Sequence, residues 1–269
     1  MRPSLLTQFR TLATEALLDA VRRRIVVAIA VVSLLSLMLV DNCTTCSGGE
    51  VVVNGQVKDM VNLAGWTGTV TFAVLGLWSI VLAGVLASEH LAQTLSDGSA
   101  TLALARPVGR GTFAFARLAG SLAIAFATGA VLLGGTALFL QARSGLPTGP
   151  AVVAGLSCAL GMVTIAALAM TASLYIPRIA TVMLVFIATG ATALANVFAM
   201  FRDATSGVMG AIDRFGPPLC SSIAVALSPW ITEVGVPGGA TEIATRHALW
   251  AAASIALLWA AFRRIELRD

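Results

Sequence analysis

The stretch Ser88–Gly120, SEHLAQTLSDGSATLALARPVGRGTFAFARLAG, joins two apolar segments, Trp66–Ala87 and Leu118–Leu140. Both segments are uncharged and reach the roughly 20 residues that a helix needs to cross about 30 Å of hydrocarbon. Their ends at Ala87 and Leu118 therefore lie on one side of a membrane. A simple connection needs only a few residues, yet this one carries a turn at Asp97-Gly98, a short apolar run Leu102–Ala105, then Pro107 and spaced arginines. A segment so built is expected to bind something on its side of the membrane.

Moving outward, Ala151–Leu174 and Ile179–Phe201 are two more uncharged stretches of spanning length, and Ile25–Val40 and Ala248–Phe262 are shorter ones flanked by arginines. Arginines can snorkel to the headgroups while a helix continues. Hydrophobic residues make up 58% of the 269 residues and charged residues 11%, which places the chain among integral membrane proteins. The expected fold is all-α, with six transmembrane helices over residues 25–269 and a separate segment over residues 1–24.

Positive charge sets the orientation. Six spans put Arg2, Arg10, Arg22, Arg23, Arg24, Arg106, Arg110, Arg117, Arg178, Arg263, Arg264 and Arg268 on one side, twelve of the 17 basic residues. Lys58, Arg143, Arg202, Arg214 and Arg246 fall opposite, so both termini and the Ser88–Gly120 loop are expected in the cytoplasm, and the protein in the cytoplasmic (inner) membrane. The net charge of +4 reflects topology and contact with anionic lipid and asks for no nucleic-acid partner.

A seventh crossing within Arg202–His247 is excluded by Pro217, Pro218, Pro229 and Pro237 around its short apolar run Ile223–Leu227, and by the arginines it would place outside. The segment reads as an external loop with interfacial or re-entrant helices, a candidate outer gate. At the other end, Leu5, Leu6, Phe9, Leu12, Ala13, Ala16, Leu17, Ala20 and Val21 recur at helical spacing, with Gln8, Arg10, Glu15, Asp19 and Arg22 opposite. This is an amphipathic helix, expected along the inner leaflet and turning into the first span at Arg22-Arg23-Arg24. No cleavable signal pattern is visible.

Of four cysteines, Cys158 falls in a span and reads as a packing residue. Cys43 and Cys46 form Cys-x-x-Cys in the first external loop and Cys220 lies in the last. On an oxidising face these favour a structural disulfide, either local or joining one of the pair to Cys220. A metal site would need two more ligands, and His247 is the only external histidine.

Exclusions narrow the function. With one lysine, Lys58, in NGQVKDM, the chain cannot contain a Gly-x-x-x-x-Gly-Lys-Ser/Thr phosphate loop; neither His-Glu-x-x-His nor Gly-x-Ser-x-Gly occurs. No acidic or basic residue lies in the four long stretches to relay protons or sodium. The chain itself is expected to be no enzyme and to need no cofactor.

Gly98-Ser99-Ala100-Thr101-Leu102-Ala103-Leu104-Ala105-Arg106-Pro107-Val108-Gly109-Arg110 resembles the Gly-Thr-Leu-x-Leu-Leu-Leu-x-x-Pro-Val-Ser-Arg signature of ABC-2 type permeases, membrane subunits of ATP-binding cassette exporters. Gly98, Leu102, Leu104, Pro107, Val108 and Arg110 match. Ala116-Arg117-Leu118-Ala119-Gly120 corresponds to that family's Gly-Lys-Leu-x-Gly at the start of the third span. The amphipathic N-terminus, six spans and long outer loop extend the likeness over nearly the whole chain. Ser99 stands where the family has threonine, Thr101 where it has glutamate, and Asp97 is the one acidic residue just before the glycine.

The resemblance implies an N-terminal elbow helix, a cytoplasmic coupling helix, and a dimer of permeases bound to two separate ATPase subunits that hold ATP and Mg. It assigns ATPase docking to Asp97, Gly98, Ser99, Thr101, Leu102, Leu104, Arg106, Pro107 and Arg110. Walls of aliphatic, glycine, serine and threonine side chains suit an amphipathic or lipid-like substrate. Two other classes stand beside it: a secondary transporter, which would show internal repeats or mid-membrane charges, and a membrane component that assists maturation of an extracytoplasmic protein through the Cys43–Met60 loop. Gly76 and Gly84, on one helix face with Ile80 between, permit close helix approach, which serves bundle packing, a protomer interface or the lining of a pathway.

Overall fold

The computed structural model describes residues 5–22, 38, 52–53, 56–57, 60–96, 110–201, 207–231 and 239–264. Its helices are α1 (Leu5–Arg22), α2 (Met60–Ser96), α3 (Arg110–Ser144), α4 (Thr148–Ala172), α5 (Arg178–Phe201), α6 (Gly207–Phe215), α7 (Leu219–Leu227) and α8 (Ala240–Arg264). Five of them, α2, α3, α4, α5 and α8, are long and apolar enough to cross a membrane. The protein is a helical, multi-pass membrane protein. The expected first span, Ile25–Val40, lies outside the described residues apart from Met38.

Apolarity makes these segments helical, because a backbone in hydrocarbon must satisfy its own polar groups. Hydroxyls follow the same rule. Ser79 donates to the Leu75 carbonyl, Thr136 to Leu132, Thr164 to Leu160 and Thr171 to Ala167, at 2.8–2.9 Å. α3 stops at Gly145, which takes φ +67° while its N–H reaches the Gln141 carbonyl at 3.0 Å, a left-handed cap that favours glycine. The turn Gly145–Pro147 then starts α4. α5 begins after Pro177, whose carbonyl accepts from the Thr181 N–H.

Helix α4 is the hub, packed against α2, α3, α5, α7 and α8. Close approach comes from glycine. A Cβ on Gly76 would lie 2.7 Å from Cys158 Sγ, one on Gly84 2.8 Å from both Ile165 and Val185, and one on Gly161 2.7 Å from Ile80. The Gly76–Ile80–Gly84 face is thus a contact surface of α2 with α4 and α5, the bundle-packing use among those its spacing leaves open. Amphipathic α1 packs on α3. Phe9, Leu12 and Ala13 are half-buried, whereas Thr7, Arg10, Thr11, Thr14, Glu15 and Leu18 are exposed.

Several boundaries differ from those hydropathy predicts. α2 continues beyond Ala87 to Ser96 and α3 begins at Arg110, so the connection shrinks to residues 97–109. The charge at Glu89 that ends the apolar run does not end the helix, because Arg178 pairs with it. Likewise α8 starts at Ala240 rather than Ala248. Arg246 and His247 are helical, with Arg246 Nη1 donating to the Arg214 carbonyl and His247 buried in the bundle. His247, expected in an external loop, is therefore a buried helix residue.

Between α5 and α8 the chain turns back. α6 ends at Gly216, whose N–H reaches the Ile212 carbonyl at 2.7 Å, and Pro217-Pro218 forbid its continuation. α7 then starts deep. Leu219 packs beside Gly161, thirteen residues or about 20 Å along α4 from Thr148, and the chain climbs back to Trp230. That residue stacks edge-on with Phe72 at 6.3 Å and donates from Nε1 to the Pro147 carbonyl at 3.0 Å. In the residue 41–59 connection, Val52–Val53 pairs antiparallel with Gln56–Val57.

Candidate functional site

Two places collect features beyond packing: the ends of α2 and α5 nearest the 97–109 connection, and the groove between these helices. Of the predicted docking residues, Arg110 is the first residue of α3; Asp97, Gly98, Ser99, Thr101, Leu102, Leu104, Arg106 and Pro107 lie outside the described residues, as do Cys43 and Cys46. What flanks them is described. Glu89, 8% exposed, pairs with Arg178, whose side chain is 54% exposed. This ties the last turns of α2 to the first turn of α5. Nearby, Arg117 stacks over Phe113 and Arg263 over Trp259 at 5.4 and 4.4 Å, and Phe113 stacks on Phe262 at 6.1 Å. Arginines over aromatic rings suit a membrane–water boundary.

Helices α2 and α5 run antiparallel upward from that pair. One turn or so above, Gly84 holds them in contact through Val185. Farther up they part around a groove of about 540 Å³, lined by Leu77, Trp78, Val81, Phe186, Thr189 and Gly190 among others. Trp78 lies eleven residues from Glu89 and Thr189 eleven from Arg178, so both sit about 16 Å above the ion pair. Neither Trp78 Nε1 nor Thr189 Oγ1 has a hydrogen-bond partner among the described residues, although both atoms are buried. Thr192, one residue past Gly190-Ala191, does bond its own helix, to the Ala188 carbonyl at 2.7 Å.

Above the groove stands the α6–α7 hairpin. Asn196 of α5, fully buried, donates from Nδ2 to Asp213 Oδ1 at 2.7 Å and accepts the Cys220 N–H on Oδ1 at 3.2 Å. One amide side chain therefore fastens both arms of the hairpin to α5. Cys220 is placed inside the bundle rather than on an exposed loop: it is 5% exposed, with a free thiol, as is Cys158. His247 is 1% exposed with neither ring nitrogen paired among the described residues. No group of three His, Cys, Asp or Glu side chains among those residues has metal-site spacing.

Sequence reasoning did not single out Trp78, Thr189, Arg178 or Asn196. Each is an ordinary residue of an apolar run or its flank. The available signal was that Asn196 is the most polar residue within the four long uncharged stretches, and polar residues inside spans are costly unless paired. No protein-family model matches this chain, and no curated protein matches it.

Proposed function

We propose that this chain is the permease subunit of an ABC-2 type exporter, working as a pair of copies with a separate ATPase that binds ATP and Mg. The reading rests on the Gly98–Arg110 motif, and the position of that motif supports it. The motif joins the end of α2 to the start of α3. A displacement there acts on α2 directly, on α1 through its packing on α3, and on α5 through Glu89–Arg178. This is what a segment needs in order to pass ATPase motion to the spans.

The remaining assignments belong to the same proposal. Six spans include Ile25–Val40; α1 is the elbow helix on the cytoplasmic leaflet of the inner membrane; both termini are cytoplasmic; and α6–α7 is the re-entrant outer segment. The hairpin lies against protein on α4 and α5, the condition for non-spanning backbone at membrane depth.

The test replaces Leu102 and Leu104 with glutamate. Charge in a packed subunit contact removes most of its affinity, so the variant inserts and dimerises yet loses co-purifying ATPase and transport. Full retention of both would end the assignment.

A further inference from the structure

From the groove between α2 and α5, we infer a binding site for an uncharged, lipid-soluble molecule that carries a hydroxyl or carbonyl oxygen within an apolar body. Trp78 Nε1 and Thr189 Oγ1 are the groups that hold that oxygen. The inference deepens the permease reading, which gives a reason for such a molecule to pass, but the site is testable without it.

The chemistry follows from two unpaired groups. Trp78 and Thr189 line one groove, and the indole N–H and the threonine hydroxyl, both shut off from solvent, have no partners among the described residues. In hydrocarbon an unmet donor carries a penalty that no acyl tail relieves. Ser79 and Thr192, buried hydroxyls near the groove in the same two helices, bond a carbonyl one turn back, whereas Thr189 does not; Thr69, nine residues from Trp78 along α2 and outside the groove lining, is the other threonine of this pair of helices without a partner among the described residues. Nothing else in the lining is polar. Gly190 presents bare backbone, with no atom within 4 Å of where its Cβ would be, and Phe186 and Val81 supply apolar walls.

A cavity of about 540 Å³ is in the range of small-molecule sites. The absence of acidic or basic lining residues disfavours an ion, because a charge at this depth would go unpaired. An apolar helix from a second copy would fill the space while leaving both polar groups unmet. A ligand oxygen meets them: Trp78 donates to it, and the Thr189 hydroxyl donates or accepts according to whether a carbonyl or a hydroxyl arrives. Below the site the Gly84–Val185 contact and the Glu89–Arg178 pair close the space between the helices.

The test uses purified full-length protein in nanodiscs and two matched photoreactive probes, a diazirine-bearing octanol and the corresponding octane. Octanol is expected to label α2 within residues 74–81 and α5 within residues 186–193 at least about fivefold more than octane at equal bilayer concentration, the worth of about one hydrogen bond. Trp78→Phe and Thr189→Val should each cut that labelling by a similar factor. The groove between α3 and α4, about 380 Å³ and bordered by Gly134 and Gly155, has only apolar lining and serves as the internal control. Both probes should label it alike in every variant, which also shows that the variants are folded.

Equal labelling of the α2–α5 groove by octane and octanol would overturn the site. So would labelling unchanged in both variants, or ready cross-linking between two copies through cysteines placed at Val74 and Gly190, which would make the groove a subunit interface. ATPase co-purification is measured in parallel. Lost oxygen dependence with the ATPase still bound rejects this site alone, and lost ATPase binding in the Leu102/Leu104 variant with labelling intact rejects the exporter reading alone.

Discussion

Helices α2 and α5 are held together differently at their two ends. Near Trp230 the contacts are close and mostly uncharged. Gly65 lies so near the Trp230 carbonyl that a Cβ would come within 2.0 Å of its oxygen; Trp230 bonds the α3–α4 turn, and Asn196 ties both hairpin arms to α5. At the opposite end the links among the described residues are the Gly84 contact and one ion pair, with its arginine more than half exposed. Buried neutral contacts hold regardless of salt, whereas a pair open to water contributes little and is readily exchanged for hydration. The fold thus places its weaker clasp beside the 97–109 connection and its firmer one beneath the hairpin.

On that contrast, the largest loss should come from Gly65→Ala. The added methyl meets backbone, which cannot rotate aside, so the cost should reach the upper end of overpacking penalties, about 3 kcal/mol. Thermal unfolding in detergent measures it. A melting temperature equal to that of the parent would show that the Trp230 end is loosely packed after all.

Asn196→Leu should come second. It keeps the volume of the side chain but leaves the Cys220 N–H and the Asp213 carboxylate without their partner, at a cost of about 2 kcal/mol. Hydrogen bonds between membrane helices are often worth less than that. Limited proteolysis of the α6–α7 segment is the more direct readout, and faster cleavage is expected even where global unfolding shifts little. Unaltered cleavage and unaltered stability together would mean that the hairpin is held by its apolar contacts with α4 alone.

Hydropathy alone located α2, α3, α4 and α5, because an uncharged run of this length has few alternatives to a buried helix. It failed where charge was compensated locally. Glu89 and Arg246 each resemble the edge of a span, yet Glu89 pairs with Arg178, Arg246 reaches the Arg214 carbonyl through Nη1 although its Nε has no partner among the described residues, and the helices run on. The double-proline turn after α6 was readable from Pro217-Pro218, while its depth was not, since nothing in LCSSIAVAL tells an interfacial helix from one packed against Gly161. Asn54-Gly55 between two valine-bearing runs is a hairpin signal that the all-α reading passed over, and a short β pair flanks it. The groove was invisible for another reason: tryptophan and threonine in a span are common, and only tertiary geometry shows that these two lack partners.

The smallest effect on stability is expected at the clasp itself. Glu89→Gln removes the charge but retains a side chain able to accept from Arg178, and the exposure of that arginine screens the pair, so less than about 1 kcal/mol should be lost. A double-mutant cycle with Arg178→Gln isolates the interaction, and its coupling energy should fall as salt is raised. Function should respond more than stability. A clasp that yields too easily lets the two ends of α2 and α5 part without being driven, so on the proposed exporter reading substrate-free ATP turnover should rise relative to transport in a complex reconstituted with the proposed ATPase. Arg178→Lys, which keeps the charge, should restore the balance. A coupling energy above that of the Asn196 contacts, insensitive to salt, would reverse the assignment of firm and weak ends and move the yielding contact to the hairpin.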